Sequence, residues 1–345
     1  MPPRLLPGDG QLVVSLDNQR RAVPETVDFS YPLKLIVPAR RFLPRLQCVY
    51  VIGYGGGLVA GDRVRLKVDV KEGTTLVMLT QGSTKVFKTR PGRFLHAPSS
   101  LPPTSALTST LQLYRLSVAP SSFLILLPAP VTCFSRSRYS QRQVVHLADE
   151  TSSLVLLDWY TAGRVGMDDK HKGKGAENWK FERYRSENEV WLGERRIAKD
   201  VLLLEDENAP PPSAAEDPTR SPLDVLSPSP PPSADAPPHP AHETTYSPRV
   251  SPYSCYATLF LFGPHTAPLL AALNRAFTAL THYKQPRPYS LVWSFSTLPG
   301  HPGGGGVARC AGAEAEQVRE WVTHVLTEGG MGGMISEDLW RTAFS

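Results

Sequence analysis

Between Leu79 and Lys88 the chain reads LTQGSTKVFK, where Thr80, Gln81, Ser83, Thr84 and Lys85 put five hydrogen-bonding side chains into six positions after an apolar run. Hydroxyl and amide groups at that density are costly to bury unless each is satisfied. They either line a polar cavity or lace neighbouring strands. Upstream, IGYGGGLVAGDRV from Ile52 to Val64 holds Gly53, Gly55, Gly56, Gly57 and Gly61 before Asp62. Glycines in that number let the backbone take positive φ and approach another segment closely. Asp62 then either caps the turn or presents a carboxylate.

Familiar catalytic templates do not fit. The nearest phosphate-loop match, Gly56 to Gly61, continues with Asp62 and Arg63 where Lys and a hydroxyl residue must reach phosphate and magnesium. Gly303, Gly305 and Ala308 formally spell a dinucleotide fingerprint, but LPGHP before them is too loose for a tight strand-to-helix turn. Nucleophile elbows and H-E-x-x-H zinc motifs are absent. His239 and His242 form an H-x-x-H inside a proline-rich stretch, where a preformed metal site is not expected. The run DDKHKGKG, Asp168 to Gly175, is diluted by acids and glycines and has no aromatic platform, so a nucleic-acid surface is not expected.

The elements that would carry these residues read mainly as strands. Val64, Leu66, Val68 and Val70 alternate strictly with Arg63, Arg65, Lys67 and Asp69, and a turn at Lys71, Glu72 and Gly73 leads to a second β-rich run, Thr74 to Thr80, which together predict a hairpin. Further runs rich in β-branched and aromatic residues recur along the chain, predicting a mostly β fold: a large antiparallel or helical stack of short strands. Two C-terminal helices are predicted, Pro264 to about His282 and Ala313 to Leu326. From Asn208 to Ser254 there are 14 prolines in 47 residues with few large apolar side chains, which predicts a disordered Pro-rich insert, since little burial is available to offset chain entropy. A smaller insert of the same kind spans Lys88 to Ala106. The expected organisation is one domain in two parts, 1–207 and 255–345, split by the insert at 208–254.

Composition narrows the class. The 345 residues suffice for a large core, and a formal charge of +5 is too small to imply nucleic-acid binding. Cys48, Cys133, Cys255 and Cys310 lie far apart, which argues against a disulfide framework or zinc knuckle and fits a reducing compartment. No stretch approaches 18 uninterrupted apolar residues and the first residues hold no signal-peptide core, so a cytoplasmic protein without a membrane span is expected.

The segment GGGLVAGDRVRLKVDVKEGTTLVMLTQGSTKV, Gly55 to Val86, resembles the urease accessory proteins of the UreD (UreH) family in its Gly-rich run, Gly-Asp, alternating strand and T-Q-x-x-T-K-V order. The likeness continues through APSSFLILLPAPVTCFSRSRYSQRQVVHL, through LLDWYTAGRVG with Asp158, and through GGVARCAGAEAEQVREWVTHVL near the end. Departures are Gly53 and Tyr54 where many members have Ser-Pro, and the Asp168 to Gly175 stretch before Glu177.

The resemblance implies a non-enzymatic scaffold with a helix-like stack of strands. Its implied partners are apo-urease, a UreF-like accessory protein and, through it, a UreG-like GTPase, with self-association a further expectation. It also implies an internal tunnel carrying nickel in transit, with no organic cofactor. Such a path must release its ion, so oxygen donors suit it better than a Cys/His cage. On this basis Asp62, Thr80, Gln81, Ser83, Thr84, Asp158 and Glu177 are the expected tunnel residues. Gly55, Gly56, Gly57 and Gly61 are the structural motif, and Lys85 is expected to pair with a carboxylate. Trp321 and Trp340 are expected either to face partners or to pack in the core. Two other classes stay open: a nucleotide-dependent enzyme using residues 303–308, and a polyproline-mediated adaptor.

Overall fold

The computed structural model describes residues 5–40, 42–88, 109–164, 177–209, 244–282, 290–298 and 302–343. The strands, in chain order, are β1 (Asp9–Leu16), β2 (Ala22–Phe29), β3 (Leu33–Ile36), β4 (Leu46–Gly53), β5 (Gly57–Leu58), β6 (Arg63–Val70), β7 (Thr75–Leu79), β8 (Thr84–Val86) and β9 (Thr110–Val118). Then come β10 (Phe123–Leu127), β11 (Val131–Cys133), β12 (Arg138–Leu147), β13 (Ser153–Thr161), β14 (Arg183–Leu192), β15 (Arg195–Glu205), β16 (Cys255–Phe262), β17 (Leu291–Thr297) and β18 (Gly305–Gly312). The helices are α1 (Ser247–Val250), α2 (Ala267–His282), α3 (Ala315–Glu328), α4 (Met331–Ile335) and α5 (Glu337–Ala343).

The alternating pattern of β6 sends Val64, Leu66, Val68 and Val70 inward, each 4% exposed or less. In β7 every residue from Leu76 to Leu79 is buried. A strand buried on both faces belongs in the middle layer, not beside a half-exposed partner. The two therefore form no hairpin. β6 lies in a seven-stranded sheet ordered β15-β14-β12-β9-β6-β1-β2, and β7 lies in an eleven-stranded sheet whose main path is β17-β18-β16-β13-β10-β7-β4-β3. From β6 to β13 the long strands alternate between the sheets, and each returns parallel to the one before it. Among the described residues ten of sixteen ladders are parallel, so the expectation of a helical stack holds while its antiparallel character is confined to the two ends.

Alternation along the middle strands feeds two cores. Leu76, Met78, Leu124, Leu126, Leu154 and Leu156 fill the space between the sheets. Val77, Leu79, Ile125, Leu127, Val155 and Leu157 meet Leu269, Leu273, Val318 and Val322 of the helices on the other side. The helix α2 follows a one-turn 3-10 segment at Pro264–Thr266, and α3 starts two residues later than the pattern predicts, with Glu314 and Gln317 forming a capping box. The short helices α4 and α5 are additional, and they bury Ile335, Leu339 and Trp340. No helix among the described residues is long and apolar enough to cross a membrane.

Most of the Pro-rich stretch, 210–243, falls outside the described residues, as do 89–106 and 168–175. Its C-terminal end is not spacer. Thr244 Oγ1 donates to the Trp179 carbonyl at 2.7 Å and Tyr246 Oη to the Phe181 carbonyl at 2.7 Å, so the boundary at 254 moves back to at least 244. Aromatic packing against Trp179 and Phe181 fixes this turn. The glycines at 303–306 also read differently. Gly305 and Gly306 open β18, paired on both sides, and a Cβ on Gly306 would strike Phe295 and Leu270. They serve packing of α2 on the sheet, which removes the basis for a nucleotide-binding turn.

Candidate functional site

Along β12 the inward positions read Tyr139, Gln141, Gln143, Val145, Leu147, and along β14 they read Tyr184, Ser186, Asn188, Val190. Parallel pairing aligns them rank for rank: Tyr139 with Tyr184, Gln141 with Ser186, Gln143 with Asn188 and Val145 with Val190. A polar layer two ranks deep thus lies between an aromatic layer and an aliphatic one. Tyr160 of β13 stacks on Tyr184 at 4.5 Å and on Tyr256 at 5.7 Å, sealing the aromatic side.

Asp158 of β13 points into the polar layer from the opposite sheet. Its carboxylate accepts from Gln141 Nε2 at 2.6 Å, from Asn188 Nδ2 at 2.6 Å and from Ser186 Oγ in a short bond. Burial pushes its pKa up, with Asp200 adding to the effect, and the three donors pull it back. Gln143 Nε2 donates to Asn188 Oδ1 at 3.0 Å and continues the network. At the end of the stack Arg309 of β18 reaches Asp200 of β15 at 2.7 Å, joining the two sheets where the layer meets solvent.

In the other direction the layer opens into two cavities, about 30 and about 70 Å³, each large enough for water. Both are bordered by Val51, Thr80, Thr84, Gln112 and Tyr114; the first also reaches Gln141, Gln143 and Asp158, and the second reaches Gln81, Ser83 and Gly53, Gly56 and Gly57. Tyr54, Gly55, Gly56, Gln81 and Gly82 are exposed around that outer end. A polar track therefore lines the two cavities from the glycine loop, past Thr80 and Thr84, to Asp158, and beyond the cavities Asn188 pairs across the ladder with Asp200. Its groups are hydroxyls, amides and carboxylates. Among the described residues no group of three or more His, Cys, Asp or Glu is placed to hold a metal, and burial pushes the free thiols of Cys48, Cys133 and Cys255 up to about 12. Oxygen donors that are few and dispersed hold a divalent cation only weakly.

The structure brings five of the seven expected tunnel residues to the track: Thr80, Gln81, Ser83, Thr84 and Asp158. Thr80 also has a local task, since its Oγ1 accepts from the Ala129 N–H at 2.7 Å. Asp62 is buried away from both cavities, and its Oδ2 accepts from the Val59 N–H at 2.8 Å, closing the Gly61 turn. Glu177 lies outside the cavities as well. Arg164 grips it with two bonds, at 2.6 and 3.2 Å, while Lys88 Nζ at 3.2 Å and the Ser135 N–H at 3.2 Å complete the shell. Burial opposes the charge on Glu177, but these partners outweigh it and hold the pKa at about 2.

Gly57 has a specific reason to be glycine, because a Cβ there would lie 2.5 Å from the Lys85 carbonyl oxygen as β5 crosses to β8. Gly61 turns with φ of 85°, and Gly55 and Gly56 each with φ of 74°. Lys85 is exposed and meets no carboxylate among the described residues, because β8 points it outward. Trp340 is buried, with Nε1 donating to Thr327 Oγ1 at 3.1 Å, so it belongs to the core and not to an open docking face. Trp321 is half-buried against Trp293.

Sequence reasoning missed Gln112, Gln141, Gln143, Ser186, Asn188, Asp200 and Arg309. The signal was present in the matching rhythm of β12 and β14, aromatic then polar, polar and aliphatic at every second residue, which marks a polar rank inside an apolar face.

The family model described as UreD urease accessory protein matches residues 7–220. Urease accessory protein 4 of Cryptococcus neoformans var. grubii is 35% identical over 345 residues, covering 98% of this chain and 95% of its own. Urease accessory protein UreD of Sorangium cellulosum is 30% identical over 324 residues, covering 92% of this chain and 79% of its own. Urease accessory protein D of Oryza sativa subsp. indica is 36% identical over 177 residues, about half of each chain. The chain belongs to the UreD family of urease accessory proteins, and its role lies in urease maturation.

Proposed function

We propose that this chain is a non-enzymatic scaffold of the cytoplasm that holds apo-urease, recruits a UreF-like protein and through it a UreG-like GTPase, and passes Ni²⁺ along its interior polar track. The observation that carries the reading is the polar layer itself. A buried carboxylate, Asp158, is met by three neutral donors and, among the described residues, by no cation, so its negative charge is solvated but not cancelled. In a low-dielectric interior such a charge attracts a passing divalent ion strongly. The amides and hydroxyls beside it replace part of the ion's hydration without locking it in place.

Asp158→Asn and Thr84→Val test this. The first removes the charge at constant size and the second removes a hydroxyl at constant shape. Each variant, co-expressed with urease and the other accessory proteins, is expected to co-purify with them as the parent does, while nickel content and urease activity fall by about tenfold. Activation at the parental level in both variants overturns the path. Loss of co-purification in folded variants shifts the role of the layer from transport to assembly.

A further inference from the structure

The seven-stranded sheet ends at β15, and no strand lies beside its outer edge among the described residues. The opposite edge is protected in familiar ways: β2 carries Pro24, and its ladder with β1 has an irregularity between Val13 and Val14. β15 has neither device over most of its length. It runs for 11 residues, RRIAKDVLLLE, without proline or glycine, and its ladder with β14 is regular from Ala198 to Glu205. On its outer face Val201 and Leu203 are each 47% exposed, flanked by Lys199, which also meets Glu187 at 3.1 Å, and by Glu205, which also meets Arg183 at 3.1 Å. A long edge with exposed apolar residues is a template for another strand.

The order of those side chains specifies which strand. We infer that a second copy of this chain pairs antiparallel along β15, with a two-fold axis at Leu202. In that register Val201 faces Leu203 of the second copy and Lys199 faces its Glu205, and symmetry repeats both pairs. On the outer face the neighbouring registers match less well: centring on Asp200 opposes that carboxylate with its own copy, and centring on Val201 opposes Lys199 with Leu203 and pairs no opposite charges, whereas the Leu202 register matches every outer pair and sets Asp200 against Leu204 only on the inner face. Opposite charges and apolar pairs directly across a ladder stabilise it, and like charges destabilise it. Isologous pairing of this kind closes on itself and leaves no further edge at that end. The two outer faces become one continuous surface of paired sheets.

Two measurements on the purified full chain decide it. Sedimentation equilibrium should give a reversible monomer–dimer equilibrium. Glu205→Lys, which sets two Lys–Lys pairs across the axis, should weaken it by about tenfold. Adding Lys199→Glu to that variant should restore it. In the second measurement Val201→Cys chains are mixed with Leu203→Cys chains under mild oxidation. The mixture should cross-link, because directly opposed positions fall within disulfide reach, whereas either variant alone places its thiols a diagonal apart and should not. The four native cysteines are buried and do not compete. Sedimentation as a monomer at every concentration overturns the inference. So does a dimer indifferent to the charge swap, or cross-linking of the mixture no greater than that of each variant alone.

Discussion

Two buried carboxylates of the same chemistry have opposite surroundings. Asp158 receives three hydrogen bonds from neutral groups and its pKa is raised, whereas Glu177 is held by Arg164 and Lys88 and its pKa falls to about 2. Glu177 therefore has no field to spare for a third cation and works as a clasp, tying Arg164 and Lys88 to the Ser135 backbone. This makes a pH prediction with a definite sign. A carboxylate with an ordinary value of 4.5 and a folded value of about 2 stabilises the fold fully above 4.5, and that contribution is lost as pH falls through 2. Glu177→Gln is expected to destabilise the chain by about 1–3 kcal/mol at pH 7. In urea unfolding the gap between parent and variant should shrink steadily as pH is lowered from 4.5 towards 2. A gap independent of pH would mean that Glu177 contributes by shape and not by charge.

At the level of elements, the glycine loop and the strand after it set the open end of the track. Gly56 and Gly57 are neighbours with different constraints: a Cβ on Gly56 meets nothing within 4 Å, while one on Gly57 lies 2.5 Å from Lys85 O and 2.8 Å from the Phe87 ring. Gly56→Ala is expected to cost about 1 kcal/mol, from the left-handed backbone alone. Gly57→Ala must push β5 off β8, a larger loss of about 1–3 kcal/mol. Thermal unfolding should rank the two in that order, and only Gly57→Ala should lower urease activation, since it displaces Thr84 with the strand. Much of this region was legible in the sequence. Alternation named β6, the polar run named Thr80 to Thr84, and the Gly-Asp pair named a turn. What alternation cannot show is which strands share a sheet. The turn at Lys71 to Gly73 looks the same whether it folds β7 back onto β6 or carries it to the other layer, and only the uninterrupted apolar run of β7 argues for the second. Asp158 was legible as a residue, but its donors come from β12 and β14, brought together by a parallel register that short-range pattern does not encode.

Across the whole molecule two apolar cores share the work, one between the sheets and one between the second sheet and the helices that cover it. The polar layer at Gln141, Gln143, Asp158, Ser186 and Asn188 interrupts the first, while the second, under the helices, is apolar throughout. Val318, Val322, Leu326, Met331, Ile335 and Leu339 are all fully buried there, against Val77, Ile125, Val155 and Leu157. At about 1.5–3 kcal/mol each, these six side chains bring a gross burial gain that is large beside the net 5–15 kcal/mol of a typical domain, even after the entropy of ordering the helices is counted against it. Ending the chain after Ala313 removes α3, α4 and α5 and bares the outer face of the second sheet. If those helices were a detachable docking module, the shortened chain would unfold cooperatively like the parent and lose only its partners. The burial of Trp340 and Leu339 argues otherwise. The shortened chain is expected to lose its cooperative thermal transition and to bind a hydrophobic dye strongly at temperatures where the parent does not, because the sheet it exposes is apolar along every middle strand.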